Sequence, residues 1–352
     1  MAGRLRVGLA GLGRMGRIHA ANLAGRVPSA DLVAVTDFDP GAAARVGAEL
    51  GVAVVPDFAA LLSEVDAVAI ATPTGSHAEL ITAAAAAGKA VFCEKPVSLD
   101  RPATVAALAA VESAGVPLQV GFHRRFDPDW AAATARIRAG ELGAVYLFRT
   151  SLRDMRSPDP AFLASSGGFF VDVTIHDLDT ARWMVGEVVE VTATGAALSD
   201  PRFAELGDID TALVTLRFAS GALGVIDNSR SAGYGYECST EVVGSAATVR
   251  VENPPPRNYR WLTPGSAAHG VPRDFEERFP QAYAAELEAF ARAVLDGTPP
   301  AVGGADALAA YDLAVAADRS WRTGLPVPVT PPGRSGVAGV TREGDVRNAG
   351  GR

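Results

Sequence analysis

LRVGLAGLGRMG, residues 5–16, is an apolar run that passes without a break into three spaced glycines. The run is short and nearly all apolar, as a strand covered on both faces must be. Gly11, Gly13 and Gly16 have the G-x-G-x-x-G spacing. Alone that spacing says little. After a strand and before a helical stretch it reads as the first turn of a βαβ unit that cradles a dinucleotide. Gly11 permits the tight turn, Gly13 lets the main chain approach a pyrophosphate, and Gly16 lets helix and strand pack closely. The helix start offers unpaired N–H groups to phosphate. The whole loop, Gly11, Leu12, Gly13, Arg14, Met15 and Gly16, is therefore a candidate cofactor contact.

Outward from this loop, short apolar runs alternate with Ala-rich stretches of helical length. The runs are LVAVT (32–36), VAVV (52–55), AVAIA (67–71), AVFC (90–93) and LQVGF (118–122). This alternation predicts a doubly wound parallel sheet with helices on both sides. The second run leads to Asp37. An acid there accepts hydrogen bonds from a ribose 2′-hydroxyl and repels a 2′-phosphate, so NAD is expected over NADP. The AVAIA run leads to Thr72 and Pro73, at the carboxyl edge where such sheets bind ligands. His77, near the next helix start, is a candidate cofactor contact or a capping or packing residue. The AVFC run ends in CEKP (93–96). A parallel sheet delivers its strand ends to one edge, so Glu94 and Lys95 are expected beside the nicotinamide, with Pro96 stiffening the exit.

Beyond residue 122 the rhythm changes. A helix is expected over about 127–139, a strand over 144–153 and a helix over 172–185. Longer alternating strands follow at 188–197, 210–219, 222–230, 238–243 and 247–252, which reads as a largely antiparallel sheet with one face covered. NPPPRNYRWLTPGS (253–266) reads as a loop, and two helices close the chain at about 281–296 and 305–323. The tail after Pro331 is rich in Gly, Arg and Pro and is expected to be disordered.

The 352 residues suggest about two domains. With 48% hydrophobic and 20% charged residues the chain can bury a large core. A net charge of −8 and the lack of a basic stripe argue against nucleic acid and anionic membranes as partners. The two cysteines, Cys93 and Cys238, suggest no disulfide framework and fit a reducing compartment. No apolar run reaches the length of a membrane span, and the N-terminus has no secretory h-region, so a cytoplasmic location is expected.

The segment GGFFVDVTIHDLDTARWMVG (167–186) carries a second constellation. A helix from about 172 puts Asp172 and His176 one turn apart on one face. Ile175, Leu178, Ala181 and Val185 fall roughly opposite, available for a core. An acid beside an imidazole can orient the ring and stabilise its charged form. The same pair also occurs as a plain surface pair or a satisfied core histidine. There is no H-E-x-x-H and no cysteine cluster, so no metal is expected.

Taken together, the glycine loop at 11–16, EKP at 94–96 and the 167–186 segment resemble the Gfo/Idh/MocA family of oxidoreductases, and within it the bacterial inositol 2-dehydrogenases. The similarity runs in order over about residues 4–325. It implies a Rossmann domain over 1–122, then an α/β substrate and oligomerisation domain over 123–330 built on a large open, mostly antiparallel sheet, with 331–352 as tail. It implies NAD as cofactor and a homo-oligomer, dimer or tetramer, joined through that sheet. It implies that Lys95 hydrogen-bonds the reacting hydroxyl of a small polyol, while Asp172 and His176 position the substrate and move its proton. Lys95 and His176 crowd one oxygen, so one of them is expected to be neutral. GFHRRFD (121–127) resembles the family's pocket-lining segment, with His123 where inositol dehydrogenases more often carry Met, and Arg124 beside it. AGYGYE (232–237) resembles a loop that closes over substrate, offering Tyr234 or Tyr236, which otherwise pack in a strand turn. Asp154 completes the polar candidates. The resemblance implies oxidation of a cyclitol such as myo-inositol. A sugar or aminocyclitol dehydrogenase or ketoreductase is the alternative, and a non-catalytic NAD-binding regulator the rival from another class.

Overall fold

A computed structural model describes residues 3–330 of the chain. The tail expected to be disordered, 331–352, lies outside the described residues. The first sheet has six parallel strands: β1 (Leu5–Ala10), β2 (Ala30–Thr36), β3 (Ala53–Val54), β4 (Ala67–Ile70), β5 (Ala90–Glu94) and β6 (Leu118–Gly121). Their order is β3-β2-β1-β4-β5-β6. Helices α1 (Arg14–Gly25), α2 (Pro40–Leu50), α3 (Phe58–Glu64), α4 (His77–Ala86) and α5 (Arg101–Ala114) fill the connections. Several helices start on an aspartate whose side chain accepts from the first turn: Asp39 from Gly41 N at 2.8 Å, Asp57 from Ala60 N at 2.8 Å and Asp100 from Ala103 N at 3.1 Å. The strand order reverses between β1 and β4, and the chains leaving those two strands diverge to open a crevice. Only β3 departs from the expected covered strand. It is two residues long, sits at the sheet edge and is exposed.

The second sheet comprises β7 (Val145–Arg153), β8 (Val188–Ala196), β9 (Thr211–Phe218), β10 (Leu223–Ser229), β11 (Glu237–Gly244) and β12 (Thr248–Val251), with Val327–Pro328 beside β8. Its order is β12-β11-β7-β10-β9-β8 and then 327–328. Every pairing is antiparallel except β7 with β10, which run parallel. Along β9, Ala212, Val214, Leu216 and Phe218 are buried while their neighbours alternate outward. The helices Pro128–Arg138, Ile175–Val185 and Gly304–Thr323 contact the sheet or its flanking elements. The proline-rich segment read as a loop holds a small exposed hairpin, Trp261–Thr263 with Ser266–Ala268.

At the C-terminus the chain returns to its beginning. The helix Pro280–Asp296 lays Leu287, Phe290 and Ala291 into the same apolar cluster as Leu5, Leu9, Leu23 and Phe92 of the first sheet and α1. Phe290 meets Phe92 with ring centroids 6.0 Å apart. Glu288 accepts from Ser29 N at 3.0 Å and Ser29 Oγ at 2.7 Å. Removing a buried ring such as Phe290 would cost about 3–5 kcal/mol.

Candidate active site

Backbone geometry makes the glycine loop. Gly11 has φ 90°, and a Cβ on Gly16 would lie 1.9 Å from Gly11 O. A side chain at either position collides with main chain, whereas a Cβ on Gly13 meets nothing within 4 Å. Gly13 thus faces open space at the start of α1, where no side chain caps the helix. That is a cradle of the shape and polarity a pyrophosphate needs. The Asp37 carboxylate lies at the end of β2, 2.5 Å from Leu12 N. Thr72 and Pro73 leave β4 across the crevice, and Thr72 Oγ1 is 2.7 Å from Ser76 Oγ. Phe38, beside Asp37, is fully exposed, an apolar surface at the cofactor end of β2. These residues fit a dinucleotide. The Arg14 side chain turns away from the groove to Asp274 and Glu276, with its guanidinium 4.2 Å above the Phe275 ring.

Lys95 leaves the end of β5 and donates to the Asp172 main-chain oxygen at 2.7 Å and to its carboxylate at 3.3 Å. The other Asp172 oxygen accepts from Arg230 at 2.9 Å. Arg230, just after β10, is 1% exposed and lies against the rings of Phe169 and Phe203. Burial alone would raise the Asp172 carboxyl, but Lys95 and Arg230 outweigh it and hold it below its ordinary range. The stretch that carries Asp172 and His176 is not one regular α-helix from 172, as expected. Residues Phe170–Thr174 form a π-helical turn before the α-helix Ile175–Val185 begins. Among the described residues no hydrogen bond joins Asp172 to His176.

His176 instead stands against Phe122 and His123, with centroids 6.0 and 5.1 Å away, and its buried Nδ1 has no partner. Burial first, then the charge of Lys95, pushes its pKa well below the ordinary histidine value. The ring is neutral at pH 7 and can accept a proton. His123, packed between Phe279 and Tyr283 at 4.6 and 4.8 Å, is depressed in the same way, by burial and then Arg124 and Lys95. Burial raises the Asp154 carboxyl to about 6; Arg230 opposes this and Asp172 adds to it.

Other expected contacts are redirected by the structure. His77 is buried, with its ring nitrogens 2.8 Å from Pro96 O and 2.8 Å from Thr72 O, so it braces two strand ends rather than facing the groove. The Glu94 carboxylate meets His19 at 2.6 Å. Arg124 is buried and bonds Asp177 at 2.5 Å; that fully buried acid also takes Thr150 and Asn228 and needs a cation beside it. Tyr234 is exposed with its hydroxyl on Glu237, while Tyr236 is buried against Phe279. Sequence reasoning missed Arg230, which follows a strand with no local pattern to mark it. It also missed His19, which reads as one more polar residue of α1.

The crevice at the switch point and the cluster around Lys95 share one sheet edge. One site can therefore hold a hydroxyl beside an ammonium and a neutral imidazole while hydride leaves for a nicotinamide. Fold and site together define an NAD-dependent oxidoreductase of two-sheet design. Residues 5–122 match the oxidoreductase family with NAD-binding Rossmann fold, and residues 130–250 match the GFO/IDH/MocA C-terminal domain. The chain belongs to the Gfo/Idh/MocA family. It is 42% identical over 319 residues to the inositol 2-dehydrogenase of Rhizobium meliloti, spanning 90% of this chain and 96% of that protein. It is 38% identical over 331 residues to the scyllo-inositol 2-dehydrogenase (NAD(+)) of Bacillus subtilis, spanning 93% and 97%. The crystal structure of scyllo-inositol dehydrogenase from Lactobacillus casei with bound NAD(H) and scyllo-inositol matches with a TM-score of 0.86 at 30% identity, over 92% of this chain and 99% of that one. Among the described residues no helix is long and apolar enough to cross a membrane.

Proposed function

We propose that the protein oxidises one ring secondary hydroxyl of a cyclitol, myo-inositol or a close relative, to the ketone. The observation that carries this is His176, its buried Nδ1 without a partner, within the electrostatic reach of Lys95 at the sheet edge served by the glycine loop. Bound NAD supplies the hydride acceptor. His176 takes the hydroxyl proton as the ring carbon loses hydride, leaving a carbonyl. Lys95 bonds the same oxygen and stabilises the charge that develops on it. Asp172, fixed by Arg230, holds the lysine in place. His123, Asp154 and Tyr236 are the polar groups offered to the remaining hydroxyls, and Phe38 offers its exposed ring to the adenosine end of the cofactor. A site of buried polar groups rejects analogues that lack a hydroxyl, because those groups are then unpaired.

The same reading includes self-association through the open face of the second sheet, where Leu213 and Leu223 are exposed. It also includes a cytoplasmic location, supported by two buried free thiols. A second reading has one observation behind it. His123 Nε2 is buried without a partner and is open to a donor, the amino group of an aminocyclitol as well as a hydroxyl.

The test is kcat/KM for myo-inositol, scyllo-inositol, an aminocyclitol and D-glucose, followed by NADH absorbance. An inositol should lead. A tenfold or greater preference for D-glucose would overturn the cyclitol assignment, and NAD binding with no turnover of any alcohol would favour the regulator.

A further inference from the structure

A second polar cluster lies one residue from Lys95. His19 on α1, Glu94 at the end of β5 and Glu286 on the helix Pro280–Asp296 bring one nitrogen or oxygen each within 4.8 Å of the others. His19 Nε2 and Glu94 Oε1 are 2.6 Å apart. His19 and Glu286 are fully buried, and neither carboxylate oxygen of Glu286 has a partner. Gln119 on β6 donates to the Glu286 main-chain oxygen at 2.7 Å and leaves the Glu286 side chain alone. The surrounding walls are rings: Phe92 at 5.3 Å and Tyr283 at 6.1 Å from His19.

No lysine or arginine side chain bonds Glu286 among the described residues. An ionised carboxylate in that place would lack both water and a counter-charge, and Glu94 would repel it. Burial first and Glu94 second push the Glu286 carboxyl well above its ordinary range. A neutral acid has one O–H to donate, and the acceptors within the cluster are Glu94 and His19. The groups facing it are His19 from α1, Glu94 from β5 and Tyr283 from its own helix, with His123 stacked on Tyr283 and Arg14 acting on Tyr283 at longer range.

We propose that Glu286 is a positioning residue for Lys95, a neutral carboxylic acid packed within 4.8 Å of the His19–Glu94 pair, whose one O–H faces that pair and so fixes the strand end from which the lysine projects. The cluster spans the phosphate-facing helix, the catalytic strand and the returning C-terminal helix. A displacement of about 1 Å at the lysine is enough to lower turnover by roughly 10²-fold. The kinetic role rests on Lys95 acting as proposed above; the protonated state of Glu286 does not.

Two variants and one spectrum test this. In the infrared difference between wild type and Glu286→Gln, without substrate, the wild type should show a protonated-carboxyl C=O band that the variant lacks. Glu286→Met should lower kcat by about tenfold or more, with KM for NAD changed by less than about twofold. Glu286→Gln, which keeps a neutral donor, should recover kcat to within about threefold of wild type. No such band in the wild type, a Gln variant as impaired as Met, a fully active Met variant, or stoichiometric divalent metal in the purified protein would each overturn the proposal. If Glu286→Met does not fold, the infrared band and the Gln variant decide. If no cyclitol is turned over, the functional reading fails while the spectrum still decides the state of Glu286.

Discussion

The glycine loop and the Lys95 cluster share one edge of one sheet, and they are built in opposite ways. The loop works through main-chain atoms drawn from six consecutive residues, and what matters is the absence of a Cβ at Gly11 and Gly16. The cluster works through side chains from β5, a π-turn and the end of β10, and what matters is charge. A site of the first kind is written in local spacing. A site of the second kind exists only once two sheets have been folded against each other. The two should therefore fail separately, one in cofactor affinity and the other in turnover.

The largest effect should come from Lys95→Ala. It should lower kcat by roughly 10²–10⁴ and leave KM for NAD nearly unchanged, since the lysine serves the cluster and not the loop. Steady-state NADH absorbance measures both, and a parallel rise in KM for NAD would break the separation. Arg230→Met comes next. Leaving Asp172 with one cation instead of two should destabilise the fold by up to about 3–5 kcal/mol, read by urea denaturation, while NAD affinity of the folded fraction stays the same. The mirror image is Asp37→Ala, which should weaken NAD binding by about 1.5–3 kcal/mol and narrow the preference over NADP without lowering kcat at saturation. Equal efficiency with both cofactors in the unmutated protein would contradict the role of Asp37. The smallest effect is in the pH profile. If His176 is the base as proposed, its neutral form is the active one and its pKa is depressed, so its acid limb in kcat/KM for oxidation should lie below the ordinary histidine value of about 6.5. Asp154, raised to about 6, adds an inflection there only if it touches substrate, and Asp154→Asn tells the two apart. An acid limb centred above about 6.5 would show that His176 is not held neutral.

The contrast also explains what could be read in advance. The parallel sheet, its order of use and the cofactor edge follow from a strict alternation of apolar runs and helical stretches, and each run lies within a residue or two of its strand, β3 departing only in its exposure. The antiparallel character of the second sheet was equally plain in its period of two. The parallel β7–β10 pairing was not, because pairing direction between distant strands leaves no mark on either one. At the site, Lys95, Asp172 and His176 stand out in the sequence by their motifs, but a regular helical turn from Asp172 to His176 is not what the structure holds. The partners of Asp172, Lys95 and Arg230, come from distant parts of the chain and leave no local mark beside it. His77 and Arg124 show the same limit. Each is polar and well placed in sequence, and each is held by buried partners, main-chain carbonyls in one case and Asp177 in the other.

The helix Pro280–Asp296 has a consequence for the order in which the molecule can be made. A ribosome releases the dinucleotide-binding strands first, yet the apolar surface around Leu5, Leu9 and Phe92 is covered only when Leu287 and Phe290 emerge. At ~5–20 residues per second that delay is on the order of ten seconds or more. The half of the enzyme synthesised earliest is the last to be completed, and in the interval it presents to the cell a sticky, half-covered sheet. Nascent chains stalled near residue 250 should bind chaperones that chains stalled beyond the exit of this helix no longer hold.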